Sequence, residues 1–179
     1  KTPEIHDVRA QHRGRPFYYF AYGAAVAEVI VDVLTGEYRT LRVDILHDVG
    51  RSLNPAVDLG QIEGGFIQGM GWLTSEELVF NDAGHLTTHA PSTYKIPTAG
   101  DRPDDFNITL FANANRAATI HRSKAVGEPP FMLAFSVFSA LTDAVASVGD
   151  YRILPDLHAP ATPEAVLTAI ADIRERSAS

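Results

Sequence analysis

Phe17-Tyr18-Tyr19-Phe20-Ala21-Tyr22-Gly23-Ala24-Ala25-Val26-Ala27-Glu28-Val29-Ile30-Val31-Asp32-Val33, then Leu34-Thr35-Gly36-Glu37, then Tyr38-Arg39-Thr40-Leu41-Arg42-Val43-Asp44-Ile45-Leu46-His47-Asp48-Val49, is the stretch from which the fold follows. Its first part is rich in β-branched and aromatic residues and partly alternates around Glu28 and Asp32. That pattern predicts one long strand, or two joined at a bulge at Gly23. Residues 34–37 read as a turn. Residues 38–49 read as a second strand with Leu41, Val43, Ile45 and Leu46 as its apolar set. Together they form a β-hairpin.

Working outward, residues 1–16 are polar, contain Pro3, Gly14 and Pro16, and read as a lead-in loop. Downstream, Ser52, Asn54 and Pro55 mark a loop over 50–58 that feeds a helix over 59–78. Ile62, Phe66, Ile67, Met70 and Leu73 fall near a helical period. Gly60, Gly64, Gly65, Gly69 and Gly71 lie in the same stretch, each costing about 1 kcal/mol against Ala in a helix. Either tight helix packing or the close approach of a ligand or another backbone accounts for them. A turn at Asn81-Asp82-Ala83-Gly84, a short strand over 85–88, a loop over 91–103, a strand over 106–112 and irregular chain over 113–127 follow. Pro129-Pro130 then open an apolar helix over 131–148 that Gly149 stops. Apolar almost all round, this helix is expected to be deeply buried. After a linker, Thr162 caps a last helix whose face is Ala165, Leu167, Ile170 and Ile173. Hairpins with buried helices make the fold class α+β.

The chain has 179 residues, 45% hydrophobic and 21% charged, enough to bury a core without disulfide or metal staples. Lys plus Arg is 15 and Asp plus Glu 22, a net charge of −7, which argues against a general nucleic-acid binder. No apolar run approaches the roughly 20 residues of a membrane span, so no membrane association is expected. The start, Lys1-Thr2-Pro3-Glu4, shows neither a signal peptide nor an initiating Met, and the chain is expected to be a piece of a longer protein. With no cysteine, it supplies no thiolate metal site, iron–sulfur ligand or cysteine nucleophile.

Of the seven histidines only His85 and His89 have ligand-like spacing. On a strand such positions lie ~13 Å apart, too far for one zinc ion, so no direct metal ligand is expected. Neither a Gly-x-Ser-x-Gly elbow nor a phosphate-binding glycine loop is present. Ser123-Lys124-Ala125-Val126-Gly127-Glu128-Pro129-Pro130 stands out instead. It sets one carboxylate after a glycine and just ahead of a helix whose direction two prolines fix. A carboxylate so held is suited to act as a general base, or simply to cap the helix.

At this point the sequence resembles the molybdenum hydroxylases, and among them the xanthine dehydrogenases. Lys124-Ala125-Val126-Gly127-Glu128-Pro129-Pro130 is similar to that family's active-site stretch. Four further stretches agree: residues 17–25, Asp48-Val49-Gly50-Arg51-Ser52-Leu53-Asn54-Pro55-Ala56, residues 60–71, and Pro91-Ser92-Thr93-Tyr94-Lys95-Ile96-Pro97. The resemblance runs from about Gly14 to Gly149, in the family's order. It implies that residues 1–179 are the C-terminal part of a larger molybdopterin-binding domain. The lead-in is then 1–16, the family core 17–149, and a linker and terminal helix 150–179.

The same resemblance implies a reaction in which a Mo–OH group attacks a substrate carbon, the oxygen coming from water, while a hydride passes to a sulfido ligand. Glu128 would be the catalytic base that removes the Mo–OH proton. Gln61 would contact the pterin, and Lys124, Ala125, Val126 and Gly127, in the strip that passes beside the molybdenum site, would bind the cofactor with it. Pro-Pro after Glu128 is as in the xanthine dehydrogenases, whereas aldehyde oxidases tend to carry Gly-Glu-Ser there. Xanthine and hypoxanthine are thus the implied substrates, with an aldehyde- or other heterocycle-oxidising member as the alternative. The residues that hold the purine should lie upstream of this chain. Electrons would leave through 2Fe–2S clusters and FAD to NAD, on other segments or another subunit. The implied partners are that iron–sulfur/FAD unit and the remainder of the large subunit, in a higher oligomer in the cytoplasm. In isolation the 179 residues would be an inactive structural fragment.

Overall fold

The computed structural model describes residues 17–178, so the expected lead-in loop over 1–16 lies outside the described residues. Strand β1, Gly23–Val31, pairs antiparallel with β2, Tyr38–His47, and β3, Asp105–Leu110, adds parallel to β2. The sheet order is β1-β2-β3. The connecting turn closes through Asp32 N–H to Glu37 O and Gly36 N–H to Asp32 O, both 2.8 Å. Gly36 has φ +76, and a Cβ there would collide with the Pro163 carbonyl. Both facts require glycine at that position.

The hairpin forms as the sequence predicts, its strands ending at Val31 and His47 rather than at 33 and 49, with two further changes. First, β1 begins at Gly23 rather than at residue 17, because the polar groups of residues 19–22 are bonded elsewhere, as described below. Second, the irregularity is not at Gly23. Glu28 opposes Arg42 but Val29 opposes Thr40, which leaves Leu41 as the extra residue of a bulge.

Helix α1 runs Pro55–Thr74, four residues earlier at each end than expected. The Asn54 side chain accepts from the Val57 N–H and Pro55 takes the first helical position, where its missing N–H costs nothing. Asp58 adds a negative charge in the first turn, favourable against the helix dipole. The proposed strand over 85–88 is only a single bridge between Phe80 and Leu86, around a turn in which the Asn81 side chain accepts from two backbone N–H groups.

The helix expected over 131–148 is a 3-10 stretch, Pro129–Ala134, running into helix α2, Phe135–Ser147. Continuous over Pro129–Ser147, it is long and apolar enough to cross a bilayer by length and composition, at mean hydropathy 1.4. It is not deeply buried within this chain. Ala134, Val137, Leu141 and Val145 face the core, whereas Met132 and Phe135 are 57% and 51% exposed. One helix meets the sheet and its neighbouring helices along one face only, so its remaining apolar residues stay outside. Helix α3, Pro163–Ala178, starts as predicted, with Thr162 Oγ1 accepting from Ala165 N–H at 3.3 Å.

The core lies between the inner sheet face, through Val43 and Ile45, and Ile62, Phe66 and Met70 of α1. Val137, Leu141 and Val145 of α2 and Val166, Ile170 and Ile173 of α3 complete it. This packing sets Gly65, Gly69 and Trp72, in the second half of α1, beside the 3-10 stretch, and the site is built next to that contact.

Candidate functional site

Two glycines of α1 let the strip 124–134 lie against the helix backbone. A Cβ at Gly65 would lie 3.0 Å from the Gly127 carbonyl oxygen and 3.2 Å from Pro130 Cβ. A Cβ at Gly69 would overlap the Phe131 carbonyl oxygen and lie 3.0 Å from Ala134 Cβ. Gly71 similarly admits Glu76 and Pro97. These three are packing glycines. Gly60 and Gly64 are different: nothing lies within 4 Å of a Cβ built on either, and both are exposed.

Gln61 lies between those two glycines in sequence, on the helix's first turns. It is exposed, and among the described residues its side chain has no hydrogen-bond partner. A Cβ at Gly127 would sit 3.4 Å from Gln61 Oε1, so the strip and the carboxamide are adjacent. The next residue, Glu128, occupies the N-cap position of the 3-10 stretch. Its side chain makes no capping hydrogen bond, and only its carbonyl is used, accepting from Phe131 N–H at 3.0 Å. The cap alternative is therefore not realised in side-chain geometry. The two residues after Glu128 are prolines, which carry no N–H to offer an anion. Glu128 is exposed, one residue after the glycine that lies against the Gln61 carboxamide.

The strip's other end is tied down differently. Lys124 N–H donates to Val49 O at 2.8 Å, Arg51 N–H donates to Arg122 O at 3.0 Å, and Gly50 bridges Ser123. Gly50 has φ +64, and a Cβ there would lie 2.5 Å from Arg122 O. Ala125 N–H donates to the Tyr19 hydroxyl at 2.8 Å. Lys124 Nζ donates to Asp48 Oδ2 at 2.6 Å and to Phe20 O at 2.8 Å, and stands 5.2 Å from the Tyr22 ring centroid. Its ammonium thus points into the protein, while Ala125 is exposed and Val126 packs on the core.

Asp48, which the sequence offers no chemical reason to single out, is the hub. Its carboxylate also accepts from Gly50 N–H at 2.8 Å and from Asn113 Nδ2 at 3.2 Å. Burial pushes the carboxyl up, but the bonds from Lys124, Gly50 and Asn113 together outweigh it and hold it below the usual carboxylate value. The neighbouring His47 is 1% exposed, and neither ring nitrogen has a partner. Burial lowers its pKa, Asp48 raises it, Lys124 lowers it further, and the net direction is down. A Cβ at Gly23 would lie 2.7 Å from its Nδ1.

Among the described residues no group of three or more His, Asp and Glu side chains could hold a metal ion. His85 and His89 are exposed, and His89 Nδ1 lies 3.0 Å from Leu86 O. What α1 and the strip offer is an unpartnered donor–acceptor carboxamide, an exposed carboxylate, and open surface at two glycines.

The site stands on a three-stranded mixed sheet backed by helices. Residues 2–103 match the molybdopterin cofactor-binding domain, and the chain belongs to that family. It is 47% identical over 178 residues to a xanthine dehydrogenase/oxidase of Felis catus, and 47% identical over 182 residues to a xanthine dehydrogenase of Oryza sativa subsp. japonica. Each alignment takes in 96% of this chain, and the chain spans 13% of the length of either relative. The fold is similar to that of the aldehyde oxidoreductase of Desulfovibrio gigas, at a TM-score of 0.69 and 30% identity, covering 87% of this chain and 16% of that one.

Proposed function

We propose that this chain is the base-bearing part of a molybdenum hydroxylase that oxidises xanthine or hypoxanthine. The observation that carries the reading is the meeting of Gly127 with Gln61 on the exposed start of α1, one residue before Glu128, whose side chain makes no capping bond. The residues present fit a molybdopterin. Gln61 offers one acceptor and two donor hydrogens to a polar heterocycle, and Gly60 and Gly64 leave room at its flanks. When bound, the cofactor supplies the centre that takes two electrons from the substrate carbon.

This chain's own work is to hold and to move a proton. Gln61 orients the cofactor. Gly127 keeps the strip flush against the carboxamide. A Glu128 carboxylate oxygen takes up the proton released from water as oxygen is transferred, a contribution of about 10²–10⁴ in rate for a well-placed general base. Lys124 acts through its hold on the strip. Similarity to xanthine dehydrogenases, at 47% identity over nearly the whole chain, supports a purine over an aldehyde. The electrons would pass to 2Fe–2S clusters, FAD and NAD carried on other parts of a cytoplasmic assembly, with residues 17–149 as the core that docks there.

Oxidation of xanthine by the complete enzyme in H₂¹⁸O tests the reaction. Incorporation of ¹⁸O into the purine product is expected. Absence of purine turnover, with an aromatic aldehyde oxidised instead, would replace the substrate assignment.

A further inference from the structure

Glu128 is fixed by its neighbours on the chain and by nothing that touches its carboxylate. Its side chain has no hydrogen-bond partner among the described residues. On its C-terminal side the 3-10 stretch rests on Gly65 and Gly69. On its N-terminal side the Gly127 carbonyl rests against Gly65, Val126 packs on the core and Ala125 N–H is bonded to the Tyr19 hydroxyl, and Lys124 is the strip's ion-paired anchor. That anchor has two parts: the Lys124 N–H on Val49 O, and the Lys124 ammonium on Asp48.

We propose that Asp48 is a positioning residue for Glu128, acting through its buried pair with Lys124. The inference rests on reading Glu128 as the proton acceptor. The Asp48 and Lys124 side chains are 4% and 5% exposed. A pair so buried contributes little net stability relative to well-packed apolar residues, because desolvation offsets the attraction. What it does contribute is a fixed direction. Asp48 is itself immobilised from three sides: its N–H donates to Tyr22 O, and its carboxylate accepts from Gly50 N–H and from Asn113. It sits one residue beyond the end of β2, so it carries the register of the sheet to the strip. Lys124 is the point at which the strip receives that register. Loss of the pair would loosen the N-terminal end of the strip, four residues before the carboxylate. A misplacement of about 1 Å at a reacting group can cost about 10²-fold in rate.

The experiment uses the complete, cofactor-loaded enzyme and three variants: Asp48→Asn, Glu128→Gln and the two together. The readouts are kcat per bound molybdenum, KM for xanthine, and molybdenum content. For Asp48→Asn, kcat per molybdenum is expected to fall about 10–100-fold, with KM within about twofold of wild type and molybdenum content unchanged. Added to Glu128→Gln, it should slow the enzyme little further, because both act through one carboxylate. A purely structural role would instead lower molybdenum content at unchanged kcat per molybdenum, and that result overturns the proposal. So does a fully multiplicative double variant. Wild-type turnover by Glu128→Gln would remove the proton-acceptor reading and this inference with it. Slow Glu128→Gln alongside wild-type Asp48→Asn would remove this inference alone. If Asp48→Asn fails to accumulate, Asp48→Asn/Lys124→Gln leaves no unpaired buried charge and gives the same readout.

Discussion

Replacing His47 by Met should make the end of β2 more stable, and more so in acid. The imidazole is 1% exposed and neither nitrogen is bonded, so the neutral ring leaves one donor and one acceptor unsatisfied. An unmade hydrogen bond in a buried site costs about 1–3 kcal/mol. Met is unbranched and fills irregular gaps, and repacking at similar volume costs up to about 1.5 kcal/mol. The net expectation is a gain of about 1 kcal/mol at pH 8, roughly fivefold in the local opening equilibrium. The acid dependence has a definite sign. The folded-state pKa of His47 lies below its ordinary 6.5, so the unfolded state binds more protons as pH falls. Stability from the neutral ring is complete above the unfolded value and declines as pH drops through 6.5 toward the lower folded value. His47→Met has nothing to titrate there, so its advantage should widen between pH 8 and pH 5.5. Hydrogen exchange over residues 38–50 in the complete protein, corrected for intrinsic rates at each pH, measures both effects. Faster exchange in His47→Met at pH 8, or an advantage that does not change with pH, would refute the reasoning.

Other substitutions separate the two kinds of glycine in α1 and test the strip. Gly69→Ala drives a methyl into the Phe131 carbonyl and should cost about 1–3 kcal/mol, read as a lower thermal midpoint and loss of bound molybdenum. Gly64→Ala meets no atom within 4 Å and should leave the cofactor-free protein unchanged or up to about 1 kcal/mol more stable, by the same thermal measurement. Tyr19→Phe removes the acceptor of Ala125 N–H and should raise hydrogen exchange at that amide by about 1 kcal/mol of protection, leaving peptides of α3 unaffected.

Local chemistry was legible in the sequence wherever it was contiguous. Residues 34–37 announce their turn, and Thr162-Pro163 announces the last helix, because caps and turns are made by neighbours in the chain, although Asp32, read as strand, also belongs to that turn. The start of α1 was misread because Asn54-Pro55 was taken as loop, although Asn followed by Pro is also a cap followed by a first helical residue. The aromatic run 17–22 has strand composition, but its polar groups are claimed by Asp48, Lys124 and Ala125, which lie 26 to 106 residues away. No periodicity records such partners. Burial of α2 was overestimated for a related reason: composition reports how apolar a helix is, while the neighbours within these 179 residues cover only one side of it.

In the site, Glu128 and Gln61 are singled out only by the resemblance of their motifs, and the structure sets Gly127, the residue before Glu128, against Gln61. The sequence held a hint of the packing glycines, in their spacing at 65 and 69, but not of which glycines pack and which stay open. Asp48 was invisible. Its partner Lys124 is 76 residues away, and a lone Asp at a strand end has the composition of ordinary surface until the fold closes over it.

The most direct measurement of the central claim is xanthine turnover by the complete enzyme carrying Glu128→Ala, with molybdenum determined on the same sample. The account predicts full molybdenum and turnover lowered by about 10²–10⁴. Near-normal turnover at full molybdenum would contradict it.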